Sequence, residues 1–114
     1  MTVIIYHNPR CSKSRQTLTL LQEQGIEPEI VEYLKTPLNM GILSSLREKL
    51  GGDAHLMLRP KEAEYKEQGL SKNSSNKEVL NAIVNAPKLL ERPIVVNGSK
   101  AVIGRPPENV LEVL

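Results

Sequence analysis

Val3-Ile4-Ile5-Tyr6, halted at Asn8-Pro9 and followed by Cys11 and a helical pattern from Ser12 to Gln24, is the stretch whose reading decides the fold. Four consecutive apolar residues, with no polar alternation, fit a strand buried on both faces, so this segment predicts a central strand. Thr17, Leu18 and Leu21 then fall on one side of the helix, and Gly25 stands at the C′ position that ends it. Cys11 is thereby placed in the turn between the first strand and the first helix.

Working outward, Glu29 to Leu34 reads as a second strand, and a helix joining two strands predicts a parallel, right-handed βαβ crossover. Thr36-Pro37 offers a cap and first-turn proline, Ile42, Leu43, Leu46 and Leu50 recur at helical spacing, and Gly51-Gly52 closes a helix over residues 37–50. Asp53 to Leu58 and Glu62 to Gln68 predict short helical turns, the second ending at Gly69. Ser75-Asn76-Lys77-Glu78 matches a capping box ahead of Val79, Leu80, Ile83 and Val84, with Pro87 blocking continuation. Ile94-Val95-Val96, a turn at Asn97-Gly98 and a return through Lys100 to Ile103 predict a hairpin with a type I′ turn. Pro107 opens a last helix carrying Val110, Leu111 and Leu114. The order β-α-β, a helical block, then β-β-α predicts an α/β fold: a four-stranded mixed sheet covered by helices, with a helical insertion at about residues 37–90. That is the thioredoxin-like layout. No repeat, low-complexity tract or linker interrupts it, so residues 1–114 read as a single domain.

Composition narrows the chemistry. The chain has 114 residues, and 15 Lys+Arg against 13 Asp+Glu leaves a net charge of +2, which describes one small, nearly neutral domain. With no Phe, no Trp and three Tyr, the core is built from Leu, Ile and Val. Base stacking on aromatic rings is thereby excluded, and nucleic acid is not an expected partner. No apolar run approaches the ~20 residues that cross a bilayer, and Met1-Thr2-Val3 begins a strand-like segment with no basic stretch before it, so no membrane association and a cytoplasmic location are expected. The one cysteine, Cys11, has no partner for an internal disulfide and supplies no thiolate cluster for a metal.

Cys11 at a strand-to-helix turn would meet free backbone N–H groups and the positive end of the helix dipole, both of which favour thiolate. His7, Arg10, Lys13 and Arg15 surround it in sequence and no Asp or Glu precedes Glu23, so the local charges push the same way. His7 reads equally well as structural or as tuning the thiol. Ser14 occupies the place of the second cysteine in a Cys-x-x-Cys motif, and an oxidised or adducted Cys11 therefore needs an external thiol to resolve it. A phosphatase-type Cys-x5-Arg loop is excluded, because that spacing falls on Thr17. Arg59, Arg92 and Arg105 each precede a proline, which biases them to extended geometry at element boundaries. Brought to one thiolate, three guanidinium forks would hold a compact tetrahedral oxyanion.

Tyr6-His7-Asn8-Pro9-Arg10-Cys11-Ser12-Lys13-Ser14-Arg15 resembles the active-site segment of the glutaredoxin-coupled arsenate reductases, and Leu58-Arg59, Glu91-Arg92-Pro93-Ile94-Val95-Val96 and Gly104-Arg105-Pro106 resemble their arginine-bearing segments in the same order. The resemblance implies that Cys11 is the nucleophile, that Arg59, Arg92 and Arg105 bind the oxyanion, and that Pro93 is a cis-proline facing the cysteine, with His7 and Ser14 in support. It also implies arsenate as substrate, glutathione as co-substrate, glutaredoxin as the partner that clears a Cys11–glutathione disulfide, and no bound cofactor or metal. Two other readings stand beside it: a glutathione-dependent thiol reductase with another substrate, and a thioredoxin-like adaptor that binds a protein such as RNA polymerase.

Overall fold

In the computed structural model, which describes residues 2–114, β1 (Val3–Tyr6) lies inside a four-stranded sheet with β2 (Glu29–Val31), β3 (Ile94–Asn97) and β4 (Lys100–Ile103) in the order β2-β1-β3-β4. Met1, the first residue of the expected strand-like segment, lies outside the described residues. β1 runs parallel to β2 and antiparallel to β3, and β3 is antiparallel to β4, so the sheet is mixed as expected. The two continuous apolar runs, Val3–Tyr6 and Ile94–Val96, take the two inner positions, while Glu29 and the half-exposed Ile30 sit on the edge. α1 (Ser12–Glu23) ends at Gly25, whose φ of +78° suits glycine. Val3, Ile5 and Val95 share a sheet face with Val102, and Leu21 of α1 and Val110 of the C-terminal segment pack against that face.

This unit, formed by the chain up to Thr36 and by Arg92–Leu114, departs from the sequence expectation in three places. The second strand stops at Val31 rather than Leu34, because the Glu32 carbonyl accepts the N–H groups of Lys35 and Thr36 and folds the chain back with Tyr33 buried. The hairpin turn is Gly98-Ser99, since Asn97 stays in the ladder opposite Lys100. Its side-chain amide donates to the Val113 carbonyl at 2.7 Å, which ties that residue to the C-terminus. Gly98 has φ +63° and Ser99 does not have positive φ, the sign pattern of a type II′ turn rather than I′. The last element is a 3₁₀ helix, Pro107–Val113, that buries Val110 but leaves Leu111 and Leu114 exposed.

The second unit, Pro37–Glu91, matches the expected insertion and holds α2 (Met40–Lys49), α3 (Ala63–Glu67) and α4 (Asn76–Asn85), with 3₁₀ turns at Ala54–Met57 and Pro87–Leu89. α2 starts later than Thr36-Pro37 suggests because Asn39 is the cap, its side chain accepting the Ile42 N–H at 2.8 Å. The capping box at α4 is complete, with Ser75 and Glu78 each accepting the other's backbone N–H at 3.1 Å. Leu43, Leu46, Met57, Val79, Leu80 and Ile83 are buried, whereas Val84 turns outward. The Arg59 N–H donates to Leu89 and the Glu91 N–H to Met57, which fixes Arg59 and Glu91 at the ends of a two-strand bridge.

Candidate active site

The loop that carries Cys11 is a turn shaped by its sequence. Pro9 has no N–H to extend the ladder, the Asn8 side chain accepts the Arg10 N–H at 3.0 Å, and the Asn8 carbonyl accepts the Cys11 N–H at 3.0 Å. Cys11 is the N-cap of α1, with extended backbone (φ −91°, ψ 122°), and its side chain caps nothing. Partial burial pushes its thiol pKa up. The N–H of Ser14, the Arg92 side chain, the N–H of Lys13 and the charge of Arg105 together outweigh that, and the thiol lies below its ordinary value. The Arg105 Nη2 donates to the Cys11 Sγ at 3.4 Å, while its Nε donates to the Arg92 carbonyl at 2.8 Å. Because the thiolate is more favoured here than in an unassisted thiol, Cys11 should stay reactive toward iodoacetamide below the ~8.5 at which such a thiol titrates, and the urea-unfolded chain should return to that value. An apparent pKa at or above 8.5 in the folded chain would count against an activated thiolate.

The helix N-terminus acts as the sequence suggested, but the cations do not. Arg10, Lys13 and Arg15 are exposed, and Arg15 donates to the Pro9 carbonyl at 2.9 Å. The cations that bear on the sulfur come from eighty and more residues downstream. Their route is the hairpin: Ile94 pairs with Ile103, so Arg92, two residues before β3, and Arg105, two residues after β4, emerge side by side. The Arg92–Pro93 bond is cis, as the resemblance implied, and Arg105–Pro106 is cis as well.

His7 and Ser14 are buried behind the loop, with His7 Nδ1 2.6 Å from the Ser14 Oγ, which also accepts the Asn8 N–H at 3.1 Å. Burial lowers the His7 pKa, opposed by the Glu32 carboxylate and reinforced by Arg15. Glu32 is the acidic neighbour that a scan of residues near His7 in the chain cannot find. Replacing Ser14 by Ala strands a buried imidazole nitrogen and the Asn8 N–H, and should cost about 1–3 kcal/mol in chemical denaturation. Unchanged stability would mean that the hydroxyl is dispensable to the loop.

Arg59 lies in the helical unit, where its Nη1 donates to Glu91 Oε1 at 3.1 Å and its Nε sits 3.5 Å from Glu62 Oε1. An anion arriving at this guanidinium competes with two carboxylates. Glu91, directly before Arg92 in the chain, is a partner that the Arg-Pro spacing does not reveal. Two further residues have a place at the site that their sequence positions do not reveal: Thr17, fully buried with its hydroxyl donating to the Lys13 carbonyl at 2.8 Å, and Gly104. Among the described residues, no group of three or more His, Cys, Asp or Glu side chains could hold a metal ion, and no helix is long and apolar enough to cross a membrane.

A mixed four-stranded sheet whose first strand delivers a cysteine to a helix N-terminus, with a cis-proline ahead of β3, defines a thioredoxin-like protein. The ArsC family profile matches residues 6–113, and the chain belongs to that family. It is 51% identical over 116 residues to the arsenate reductase of Haemophilus influenzae (strain ATCC 51907 / DSM 11121 / KW20 / Rd), covering 100% of both chains. It is also 55% identical over 114 residues to a protein of Escherichia coli (strain K12) called uncharacterized protein YfgD, covering 98% of this chain and 96% of that one. Among solved structures, an arsenate reductase from Vibrio cholerae superposes with a TM-score of 0.94 at 48% identity, covering 100% of this chain and 98% of the other.

Proposed function

We propose that this chain is an arsenate reductase that draws its electrons from glutathione and glutaredoxin. The observation that carries the reading is the Cys11 sulfur at one helix start, bonded by Arg105 and held below the ordinary thiol pKa by the backbone N–H groups of Ser14 and Lys13 and by the Arg92 side chain. Those donors favour a nucleophilic thiolate and leave fixed positive charge where an oxyanion would approach it. The names of the relatives supply the substrate, and the cysteine count supplies the kind of reductant. With one Cys in the chain and Ser14 in place of a second, reduction beyond the first sulfur needs an outside thiol.

In this mechanism the Cys11 thiolate attacks the arsenic of arsenate, and a protonated oxygen leaves as water. The glutathione thiol then adds to arsenic as a second water leaves. The two sulfurs join, both sulfur–arsenic bonds break, and arsenic keeps one electron pair, passing from As(V) to As(III); one water completes arsenite. A glutaredoxin thiol finally takes the glutathionyl group from Cys11 and restores the thiol. Because Cys11 must begin each cycle reduced, the cytoplasm is the proposed place of action. The test is arsenite formation from arsenate with glutathione and glutaredoxin, each omitted in turn and thioredoxin substituted in a parallel assay. Turnover that requires both supports the reading. Turnover with thioredoxin alone would overturn the choice of reductant, and no arsenite under any condition would overturn the choice of substrate.

A further inference from the structure

We propose that Gly104 is a positioning residue that sets the separation between the Arg105 guanidinium and the Cys11 sulfur. Gly104 is buried and does not need glycine for its backbone, since its φ is not positive. It needs glycine for space. A Cβ at this position would stand 2.7 Å from Thr17 Oγ1 and 2.9 Å from Pro93 Cγ, closer than packed atoms tolerate, and a tight 3.2 Å from Thr17 Cγ2. Neither neighbour yields cheaply. The Pro93 ring is fixed to its own backbone, and Thr17 is a fully buried β-branched side chain whose hydroxyl is bound to the Lys13 carbonyl.

Three segments of the site meet at this point. Thr17 lies one turn along α1 from Lys13, whose N–H helps to lower the Cys11 thiol pKa. Pro93 follows Arg92, and its carbonyl accepts the Gly104 N–H at 2.9 Å. Arg105 follows Gly104 directly and reaches the sulfur at 3.4 Å. A methyl group at position 104 therefore has to push the Arg105 corner away from α1, and a displacement of a few tenths of an ångström lengthens the 3.4 Å N–H···S contact and weakens its hold on the thiolate. Overpacking of this kind is accommodated by backbone shifts rather than by compression.

The proposal deepens the reading of Cys11 as the reacting thiolate, but its test needs no arsenate: the pH dependence of Cys11 alkylation by iodoacetamide, measured on the full chain with folding followed by circular dichroism. Gly104→Ala is expected to raise the apparent thiol pKa by about half to one unit, so that alkylation well below that pKa slows about three- to tenfold. In an Arg105→Ala background the same substitution should add no further shift, because the contact it displaces is already gone. Thr17→Ala combined with Gly104→Ala removes two of the three close approaches and should recover part of the loss. A folded Gly104→Ala chain with the parent pKa would overturn the proposal, as would an equal shift in the Arg105→Ala background. Failure of both Gly104→Ala and the Thr17→Ala double variant to fold would overturn it too, since glycine would then serve the fold as a whole. A normal thiol shift pattern in a chain that produces no arsenite would leave this proposal standing and sink the substrate reading alone.

Discussion

Cys11→Ser is expected to abolish arsenate turnover, by at least about three orders of magnitude or roughly 4 kcal/mol of transition-state stabilisation, while leaving the fold intact. The substitution keeps nearly the same shape at an N-cap position that serine favours, and the Cys11 backbone bonds to Asn8 and Arg15 do not involve the side chain. What changes is ionisation. The Ser14 and Lys13 N–H groups and the arginines Arg92 and Arg105 lower a thiol that begins near 8.5, but a hydroxyl begins so far above neutrality that the same donors leave it protonated. No second cysteine exists to take over. Arsenite release by the variant, measured with glutathione and glutaredoxin present and circular dichroism matched to the parent, checks the expectation. A rate within tenfold of the parent would show that Cys11 is not the nucleophile.

How much of this was legible in the residues follows from the range over which each feature is determined. Val3–Tyr6 could be placed inside the sheet because a run apolar on both faces has no other stable place in a small sheet, whereas Ile94–Val96 could be read as a hairpin arm but not as the second inner strand. Ser75 and Glu78 could be paired because a capping box closes within four residues. The turn at Gly98-Ser99 was misread by one residue because Asn97 is held by Val113, a partner that the hairpin sequence does not contain. The direction of the Cys11 shift was legible from the helix start alone, yet the cations responsible were not His7, Arg10, Lys13 or Arg15. Arg92 and Arg105 reach the sulfur only through the β3–β4 register. Arg59 could be picked out by its proline but not its engagement with Glu62 and Glu91, and nothing local shows why position 104 of the Gly104-Arg105-Pro106 segment is glycine, since the reason is the approach of Thr17 and Pro93.

Arg105→Ala is expected to lower arsenate turnover about a hundredfold at neutral pH, the effect of losing roughly 2–4 kcal/mol of charge-assisted bonding that strengthens in the transition state. The loss should have two parts, because Arg105 does two things: its Nη2 and charge favour the Cys11 thiolate, and the same guanidinium faces the developing anion in the proposed mechanism. pH separates them. Removing the cation raises the thiol pKa, so the part of the deficit due to thiolate population is present at neutral pH and vanishes above the new pKa, where both proteins are fully ionised. The part due to oxyanion binding persists there. Arg105→Lys should recover only some of the loss at any pH, since an ammonium restores the charge but cannot donate to the Arg92 carbonyl and to the sulfur from one planar fork. Arg92→Ala should follow the same pattern, because its side chain also bonds the sulfur. The measurement is a set of kcat/KM profiles against pH for the parent, Arg105→Ala, Arg105→Lys and Arg92→Ala. Alanine variants within threefold of the parent across the range would leave the two arginines as holders of the loop and remove them from the chemistry. A deficit that closes entirely at high pH would confine them to the thiol and place the oxyanion's binding groups elsewhere.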